Sequence, residues 1–238
     1  FSIQCQAMSK SDAGFGLIEL TVAMALGLLL VLGMTQIFLS ARGSYLAQGA
    51  SAQLQEDARY VLSKIAQEVR MAGMFGCLPS ERMIDAPSAF KTPIFWRGTV
   101  SAGALHMISA DVGLVSGKPD WTVVTDCKKR AQAFSGAQLA LAPGEIGFPI
   151  RQVVYLFEQG QLKSGLTKSV LLDNVAAFDV SFGMSSSRET QPVVHYESSP
   201  VDPSRIRSVR IALTMRDPTL RVKDQAYHVV VALRNRLG

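Results

Sequence analysis

Residues 14–41 read GFGLIELTVAMALGLLLVLGMTQIFLSA, a long apolar run with one carboxylate, that of Glu19, near its start. Residues 20–41 contain no Asp, Glu, Lys or Arg. As a helix, residues 17–39 would span roughly 35 Å at about 1.5 Å per residue, which is enough to cross a bilayer. A carboxylate inside a bilayer costs roughly 2.5 kcal/mol or more, so Glu19 calls for a specific role. The stretch predicts a membrane anchor that carries a functional acidic residue.

The rest of the chain has an ordinary composition. The 238 residues have a mean hydropathy of +0.20 and 48% apolar residues, which is high for a soluble domain. Most of this excess lies in the N-terminal run, and the residues after about position 45 mix charges with scattered Gly and Pro. The sequence therefore predicts one anchored chain with a single sizeable globular domain.

The apolar run does not fit a secretory signal peptide. It is longer than the core of such a peptide, and a signal peptide has its small-x-small cleavage site after the core. The small residues Ala13 and Gly14 lie before it instead. Cleavage there would leave the apolar segment attached to the mature protein.

Residues 14–20, GFGLIEL, resemble the prepilin peptidase site of type IV pilins and type II secretion pseudopilins. The resemblance implies cleavage after Gly14, methylation of the new N-terminal residue Phe15, and pairing of Glu19 with the N-terminal amine of a neighbouring subunit. A buried charge is tolerated when it gains an opposite charge, and losing the partner is then heavily penalised. The alternative is an ordinary signal anchor in which the Glu19 side chain reaches toward the membrane surface.

One residue departs from the family pattern. Gly16 stands where the family usually has Thr or Ser, and we expect it to weaken the helix by about 1 kcal/mol relative to Ala. The first residues, FSIQCQA, contain no initiator, whereas Met8 would begin a short leader, MSKSDAG. Residues 1–7 are then expected to be an upstream extension of the reading frame that is not translated. In either case residues 1–14 are expected to be removed.

Cysteine usage predicts one disulfide. Cys5 lies in the expected leader, which leaves Cys77 and Cys127 in a domain expected to face the periplasm, where disulfides persist. On the chain-entropy model, closing a loop of about 50 residues stabilises the fold by roughly 4 kcal/mol. The alternative is two unrelated buried thiols. Two cysteines without nearby histidines do not indicate a zinc site.

The predicted fold class is α+β. Apolar residues spaced by three and four predict an amphipathic helix that packs on the globular domain, along the face of Leu54, Ala58, Val61, Ile65 and Val69. Gly73, Gly76 and Pro79 are expected to end this helix. Alternation then predicts strands at residues 104–109, 121–125, 152–157, 161–163, 170–172, 177–182, 208–216 and 227–233.

These elements resemble the pilin fold: a long N-terminal helix, transmembrane in its first half and amphipathic in its second, packed on an antiparallel β-rich domain of two sheets. The expected boundaries are residues 15–42 for the transmembrane half, 43–76 for the amphipathic half and 77–238 for the periplasmic domain.

Five phrases that follow the apolar run resemble one branch of this superfamily, the PilW family of type IV pilus minor pilins, which is related to the J-type minor pseudopilins of type II secretion. The phrases are DARYVLSKIAQEVRMAG at 57–73, VVYLFEQGQL at 153–162, LLDNVAAFDVSFG at 171–183, VRIALTMR at 209–216 and VALRN at 231–235.

The resemblance implies a minor pilin of the bacterial inner membrane, with a single pass and a periplasmic C-terminal domain. It would join a pilus tip or priming complex. The implied partners are other minor pilins, the major pilin, the inner-membrane assembly platform and prepilin peptidase, with a tip adhesin as a further candidate. The alternatives are a type II secretion minor pseudopilin, or a minor pilin that binds DNA or a surface.

No residue pattern indicates an enzyme, a cofactor or a metal. His106, His195 and His228 are isolated in the sequence, without the paired spacing of metal ligands. The net charge of +5 and the pI near 9.2 raise the question of whether the protein binds nucleic acid. The basic residues are scattered, however, and no interleaved aromatic run accompanies them. Nucleic acid is therefore not the expected partner.

Overall fold

The structure is a computed structural model that describes residues 16–111, 117–138, 140–165, 168–188 and 192–233. It contains one long helix, α1 (Leu17–Met71), followed by a series of β-strands. Single 3-10 turns lie at Ser80–Arg82, Ser88–Lys91 and Pro203–Arg205. The chain divides into two compact units, Phe1–Gly49 and Ala50–Gly238, and α1 contributes residues to both.

The strands all lie in the second unit. Their bounds are β1 Ile94–Gly98, β2 Gly103–Ala110, β3 Trp121–Thr125, β4 Ala131–Ser135, β5 Ile146–Glu158, β6 Gln161–Ser164, β7 Ser169–Leu172, β8 Val175–Ser185, β9 Val193–Glu197, β10 Ile206–Met215 and β11 Gln225–Ala232.

The first unit presents an apolar helix with little cover. In the part of the chain that the structure describes, α1 is the one helix long and apolar enough to cross a membrane, and its most apolar stretch has no buried residues. Leu17 is 82% exposed and Leu30 is 65% exposed. So much apolar surface is stable only against lipid or against other apolar helices.

Two antiparallel sheets form the second unit. The larger sheet has the order β1-β2-β5-β3-β4, with β6 paired to β5 and β7 paired to β6. The smaller sheet has the order β11-β10-β8-β9. The chain changes sheet between β7 and β8, at the turn formed by Asp173 and Asn174. The predicted α+β class, with a long N-terminal helix and two antiparallel sheets, is confirmed.

The amphipathic stripe of α1 is buried as its spacing predicts. Ala58, Val61, Ile65 and Val69 have no exposed surface, and Leu54 is 6% exposed. These residues belong to one core cluster that also contains apolar side chains from both sheets. The helix therefore supplies one wall of the core of the second unit.

Aromatic side chains join the two sheets within this core. The ring of Phe178, on β8, lies edge-on to that of Trp96, on β1, with 5.6 Å between ring centroids. The Phe157 ring, on β5, lies 6.3 Å from the Phe178 ring. Edge-to-face pairs at such distances add about 0.5–1.5 kcal/mol beyond the area they bury. Phe178 therefore ties the smaller sheet to the larger one.

A second, smaller core lies beside the disulfide. Its buried apolar residues are Phe75, Met83, Phe90, Ile108, Ala110, Val123, Ala131, Ala133 and Ile150. The rings of Phe75 and Phe90 stack with centroids 3.9 Å apart. The disulfide between Cys77 and Cys127 joins the segment after α1 to the loop between β3 and β4, with 5.3 Å between the two Cα atoms.

A carboxylate organises the loop that carries Cys127. Asp126 Oδ1 accepts hydrogen bonds from the backbone N–H groups of Lys128, Lys129 and Arg130, at 2.9, 2.8 and 2.9 Å. These bonds lower the pKa of Asp126 to about 2, because they favour the charged form. Cys127 itself has a positive φ of 56°. The loop is therefore held in place on both sides of the half-cystine.

Local turn chemistry agrees with the sequence. Gln159 and Gly160, between β5 and β6, have φ values of 53° and 74°. A two-residue hairpin loop with a type I′ turn needs positive φ at both positions, and Gly adopts such a φ without strain. The hairpin predicted there is confirmed. At the end of α1, Gly73 has a φ of +79°, and its N–H donates to the Ile108 carbonyl at 2.9 Å.

The sequence did not predict every strand. β1, β4 and β9 were not predicted, and β5 begins six residues before the expected start at residue 152. Gly147 and Pro149 lie inside the early part of β5, and both residue types disfavour strand interiors. β9 is largely exposed and lacks the alternation of apolar and polar residues that marks a half-buried strand.

The loop between β10 and β11 is built around Asp217, which is only 4% exposed. Its Oδ1 accepts from the Thr219 hydroxyl at 2.7 Å and from the Thr219 N–H at 2.9 Å. Its Oδ2 accepts from the N–H groups of Arg221 and Val222 at 2.8 and 3.2 Å. The Thr219 bonds, with those from the two other N–H groups, lower the pKa of Asp217 to about 2.

We expect Asp217→Asn to lower stability at neutral pH and to flatten the acid dependence of unfolding. Because the folded pKa lies below the ordinary value of 3.8, ionised Asp217 stabilises the fold above about pH 4, and this contribution is lost as the pH falls toward 2. The urea unfolding midpoints of the wild type and of Asp217→Asn should therefore differ most at pH 7 and approach each other as the pH falls to 2. Asp57→Asn, on the α1 surface, serves as the control; a gap that stays constant with pH contradicts the assignment.

Candidate processing and assembly site

The candidate site begins at the first turn of α1. Gly16 precedes the helix, and its carbonyl accepts the first helical hydrogen bond, from the Leu20 N–H, at 3.2 Å. The Gly16 N–H donates to Glu19 Oε2 at 3.1 Å. Gly16 is thus the N-cap, and Glu19, the third helical residue, caps it in return, as in one half of a capping box. The acidic side chain closes the start of its own helix.

This geometry corrects the expectation for Gly16. A glycine inside a helix lowers helix stability by about 1 kcal/mol relative to Ala. Gly16 lies just outside, because α1 begins at Leu17. At the N-cap, glycine is only a few tenths of a kcal/mol worse than Ser or Thr. The departure from the family pattern therefore carries little penalty in the folded helix.

Glu19 has unused capacity to accept hydrogen bonds. Its Oε2 is bonded to the Gly16 N–H, whereas its Oε1 makes no hydrogen bond to any residue that the structure describes. The carboxylate also lies at the positive end of the helix dipole, which favours negative charge in the first turn. A donor from another molecule, such as an amine, would complete its coordination.

Apolar side chains lie next to this carboxylate on the helix surface. Ile18, Val22 and Leu26 lie with Glu19 and Ala23 along one side of α1, where they border a shallow depression. Ile18 is 75% exposed and Val22 is 52% exposed. A second helix that packed on this side would remove water from Glu19. The strength of any charge pair made there would then rise, because the local dielectric constant falls.

The hydroxyls in the apolar segment need no partner outside it. Thr21 Oγ1 donates to the Ile18 carbonyl at 2.9 Å, and Thr35 Oγ1 donates to the Val31 carbonyl at 2.7 Å. Such bonds back to the helix satisfy a hydroxyl in an environment without water. The hydroxyls are thus satisfied within the helix, and Glu19 is the residue in 17–41 that carries a charge.

The other predicted site residues are not part of this cluster. Gly14 and Phe15 lie outside the described residues. Cys77 and Cys127 belong to the second unit, where they form the disulfide described above. The structure thus adds one feature to the prediction, the bond between Gly16 and Glu19. Its signal was present in the sequence, since a Gly followed three residues later by Glu is the spacing of a capping interaction.

The histidines lie on three different strands. His106 on β2 stacks on Phe95 with 4.5 Å between ring centroids, His195 is on β9 and His228 is on β11. Burial, with a smaller effect of Arg97, lowers the pKa of His106. Across the ranges described above, no three His, Cys, Asp or Glu residues are placed to hold a metal ion.

Comparison with known proteins bears on the N-terminal segment. Residues 9–35 match the model of the prokaryotic N-terminal methylation motif. No curated protein sequence matches the chain significantly. Among solved structures, a chain of the GspK–GspI–GspJ complex from the type 2 secretion system of enterotoxigenic Escherichia coli is similar at 8% identity and a TM-score of 0.38, with 74% of this chain and 96% of that chain covered. This chain therefore carries a methylation motif of the prokaryotic type, and the motif includes the first turns of a helix able to span a membrane.

Proposed function

We propose that the protein is a minor pilin of the type IV pilus, cleaved after Gly14 and N-methylated at Phe15. The observation that carries the proposal is the match of residues 9–35 to the methylation motif, with Glu19 in the first turn of an unburied apolar helix. The mature protein takes part in pilus assembly, in a tip or priming complex with other minor pilins. The major pilin and the inner-membrane assembly platform are its further partners.

The physical basis of assembly is the packing of apolar helices around one charged group. In lipid, helix association depends on close packing and polar links more than on the hydrophobic effect. Cleavage after Gly14 creates an N-terminal amine on Phe15, one residue from the Gly16 N–H that Glu19 already contacts. The same carboxylate, through Oε1, pairs with the amine of a neighbouring subunit. This pair fixes the axial register of the incoming helix.

The disulfide supports placement of the second unit in an oxidising compartment. Disulfides persist in the periplasm and are rare in the cytosol. Together with the apolar helix α1, this favours an inner-membrane protein whose second unit faces the periplasm.

Mass spectrometry of the N-terminal peptide, from protein extracted from membranes, tests the proposal. In cells with active prepilin peptidase, the expected mature chain begins at N-methylated Phe15. A chain that still carries Met8 or Phe1 in those cells overturns the proposal, and the protein is then an anchored domain of another class. A parallel culture that lacks the peptidase should retain the leader, which shows that the processing is enzymatic.

A second measurement separates pilus assembly from secretion. Deletion of the gene should remove or shorten surface pili and leave the release of secreted proteins unchanged. Loss of secretion with normal pili would place the protein in a type II secretion system instead. Complementation with the wild-type gene is the control for both readouts.

A further inference from the structure

A groove in the second unit lies between α1 and the outer edge of β11. Its volume is about 550 Å³. Residues from one stripe of the helix line one side: Gln55, Arg59, Leu62, Ser63, Ala66 and Arg70. The other side is lined by Ala226, Tyr227, His228 and Val229 of β11. A hydrogen bond of 2.8 Å from Gln225 Nε2 to Ser51 Oγ closes one end.

The β11 side of the groove is the edge of a sheet. Alternate residues of a strand line one face, whereas four consecutive residues, 226–229, border this groove, so the strand presents its edge. β11 is the terminal strand of its sheet and pairs with β10 on one side. A terminal strand has backbone N–H and C=O groups that are free to pair with another extended chain.

β11 lacks the usual protection of an edge strand. Its sequence, QAYHVVVA, contains no Pro, Lys, Arg, Asp or Glu. Charged residues, prolines and bulges are the common devices that keep strand edges from pairing with other chains. Its register with β10 is regular from Gln225 to Ala232, without a bulge. The edge is therefore straight, uncharged and suited to accept a further strand.

The helix side of the groove is cationic. Arg59 and Arg70 are exposed, they line the groove without any Asp or Glu, and neither makes an ion pair within the described chain. They are separated by three turns of α1, roughly 16 Å at 1.5 Å per residue. An extended segment covers that distance with about five residues. One short strand would therefore reach both arginines.

We propose that this groove binds an extended, acidic segment of a partner protein. The backbone of the segment adds a strand to the edge of β11, and its carboxylates face Arg59 and Arg70. Backbone pairing supplies affinity that depends little on sequence, and the two arginines select acidic segments over basic ones. This inference goes beyond the proposed function, because it uses only residues of the second unit and does not require cleavage or methylation.

The test uses the full chain purified in detergent and a fluorescent eight-residue peptide of alternating Glu and Val. Fluorescence anisotropy at low ionic strength should show binding of this peptide and none of the matched peptide of alternating Lys and Val. Arg59→Glu combined with Arg70→Glu should weaken binding about tenfold or more, because two attractions become repulsions. Hydrogen exchange of the amides in 225–232 should slow when the Glu–Val peptide is bound.

The matched control changes the same charge elsewhere in the second unit. Arg82 and Lys91 are exposed, make no ion pair within the described chain and do not line the groove. Arg82→Glu combined with Lys91→Glu should leave binding of the peptide within about twofold of wild type. Circular dichroism of both double variants should match the wild-type spectrum, since all four positions are on the surface.

Four outcomes overturn the proposal. The first is that the Glu–Val peptide does not bind, and the second is that both double variants lose affinity for it equally. The third is that the peptide binds without slowing hydrogen exchange in β11, and the last is a wild-type dimer that only Arg59→Glu with Arg70→Glu disrupts. The second outcome means general charge attraction, and the last makes a second copy of this chain the occupant. Each is distinct from failure of the proposed function, which is read from Phe15.

Discussion

Glu19→Ala should leave cleavage after Gly14 intact and lower incorporation into filaments at least about a hundredfold. Removing one member of a buried charge pair costs about 3–5 kcal/mol, because the other charge is left without a partner, and every 1.4 kcal/mol is about tenfold. The Gly16 N–H would also lose its hydrogen-bond acceptor, Glu19 Oε2. The measurement is the ratio of sheared filament protein to membrane protein, read by immunoblot, with mass spectrometry of Phe15 to verify processing.

Two variants bracket this result. Glu19→Gln keeps the size and an acceptor oxygen but not the charge, so it should fail nearly as severely as Glu19→Ala if pairing with an amine is the cause. Glu56→Ala removes a carboxylate from an exposed position of α1 outside the apolar run and should incorporate normally. Wild-type incorporation of the Glu19→Ala protein would refute the pairing.

Loss of the disulfide should be the second large effect. Cys77→Ser combined with Cys127→Ser should lower the free energy of unfolding of the second unit by about 4 kcal/mol, because the bridge closes a loop with a sequence separation of 50. The second core, around Phe75 and Phe90, should loosen first, since the bridge is its covalent link to the β3–β4 loop. Chemical unfolding of the full chain in detergent, with hydrogen exchange of residues 74–91, measures both.

Reductant provides the control for the disulfide. Dithiothreitol should destabilise the wild-type protein by a similar amount and leave the double serine variant unchanged. If both proteins respond equally, or neither does, the predicted contribution of the bridge is wrong. A single Cys77→Ser variant should resemble the double variant, because either substitution opens the loop.

Sequence patterns that span only a few residues predicted much of this fold. The stripe of α1 was visible because buried helical positions recur every three to four residues, and Val61, Ile65 and Val69 are fully buried as expected. The β5–β6 hairpin was visible because Gln159 and Gly160 suit a turn with positive φ. β10 was visible because its apolar residues alternate with polar ones. Each signal lies within a few residues of the chain.

Other parts of the fold depended on distant residues. β1 pairs with β2, and β4 pairs with β3. The sequences of β1 and β4 are short and carry no clear strand pattern, so it is the hydrogen bonds to these partners that make them strands. The exposed β9 is a strand because it pairs with β8, not because it has an apolar face. Strand formation depends on the neighbouring strand more than on the residues themselves, so sequence alone under-predicts it.

The sequence predicted which residue carries the charge of the candidate site, but it did not predict the hydrogen bonds of that residue. The single charge in an apolar run pointed to Glu19, because such a charge needs a reason to be there. That Gly16 is a cap and not a helical residue came from the structure, since helix starts are uncertain by one or two residues in sequence. The second oxygen of Glu19, left without a partner among the described residues, became visible in the same way.

The sequence by itself determined the apolar anchor, the methylation motif, the carboxylate at its start and the even pair of cysteines after it. These are set by composition and local spacing, which do not change when the chain folds. Only the tertiary structure decided how the strands divide into two sheets and that β11 leaves its edge beside Arg59 and Arg70. These features bring together residues that are far apart in the chain, as the hydrogen bond between Gln225 and Ser51 does across 174 positions. Such contacts form only when one shared core is buried.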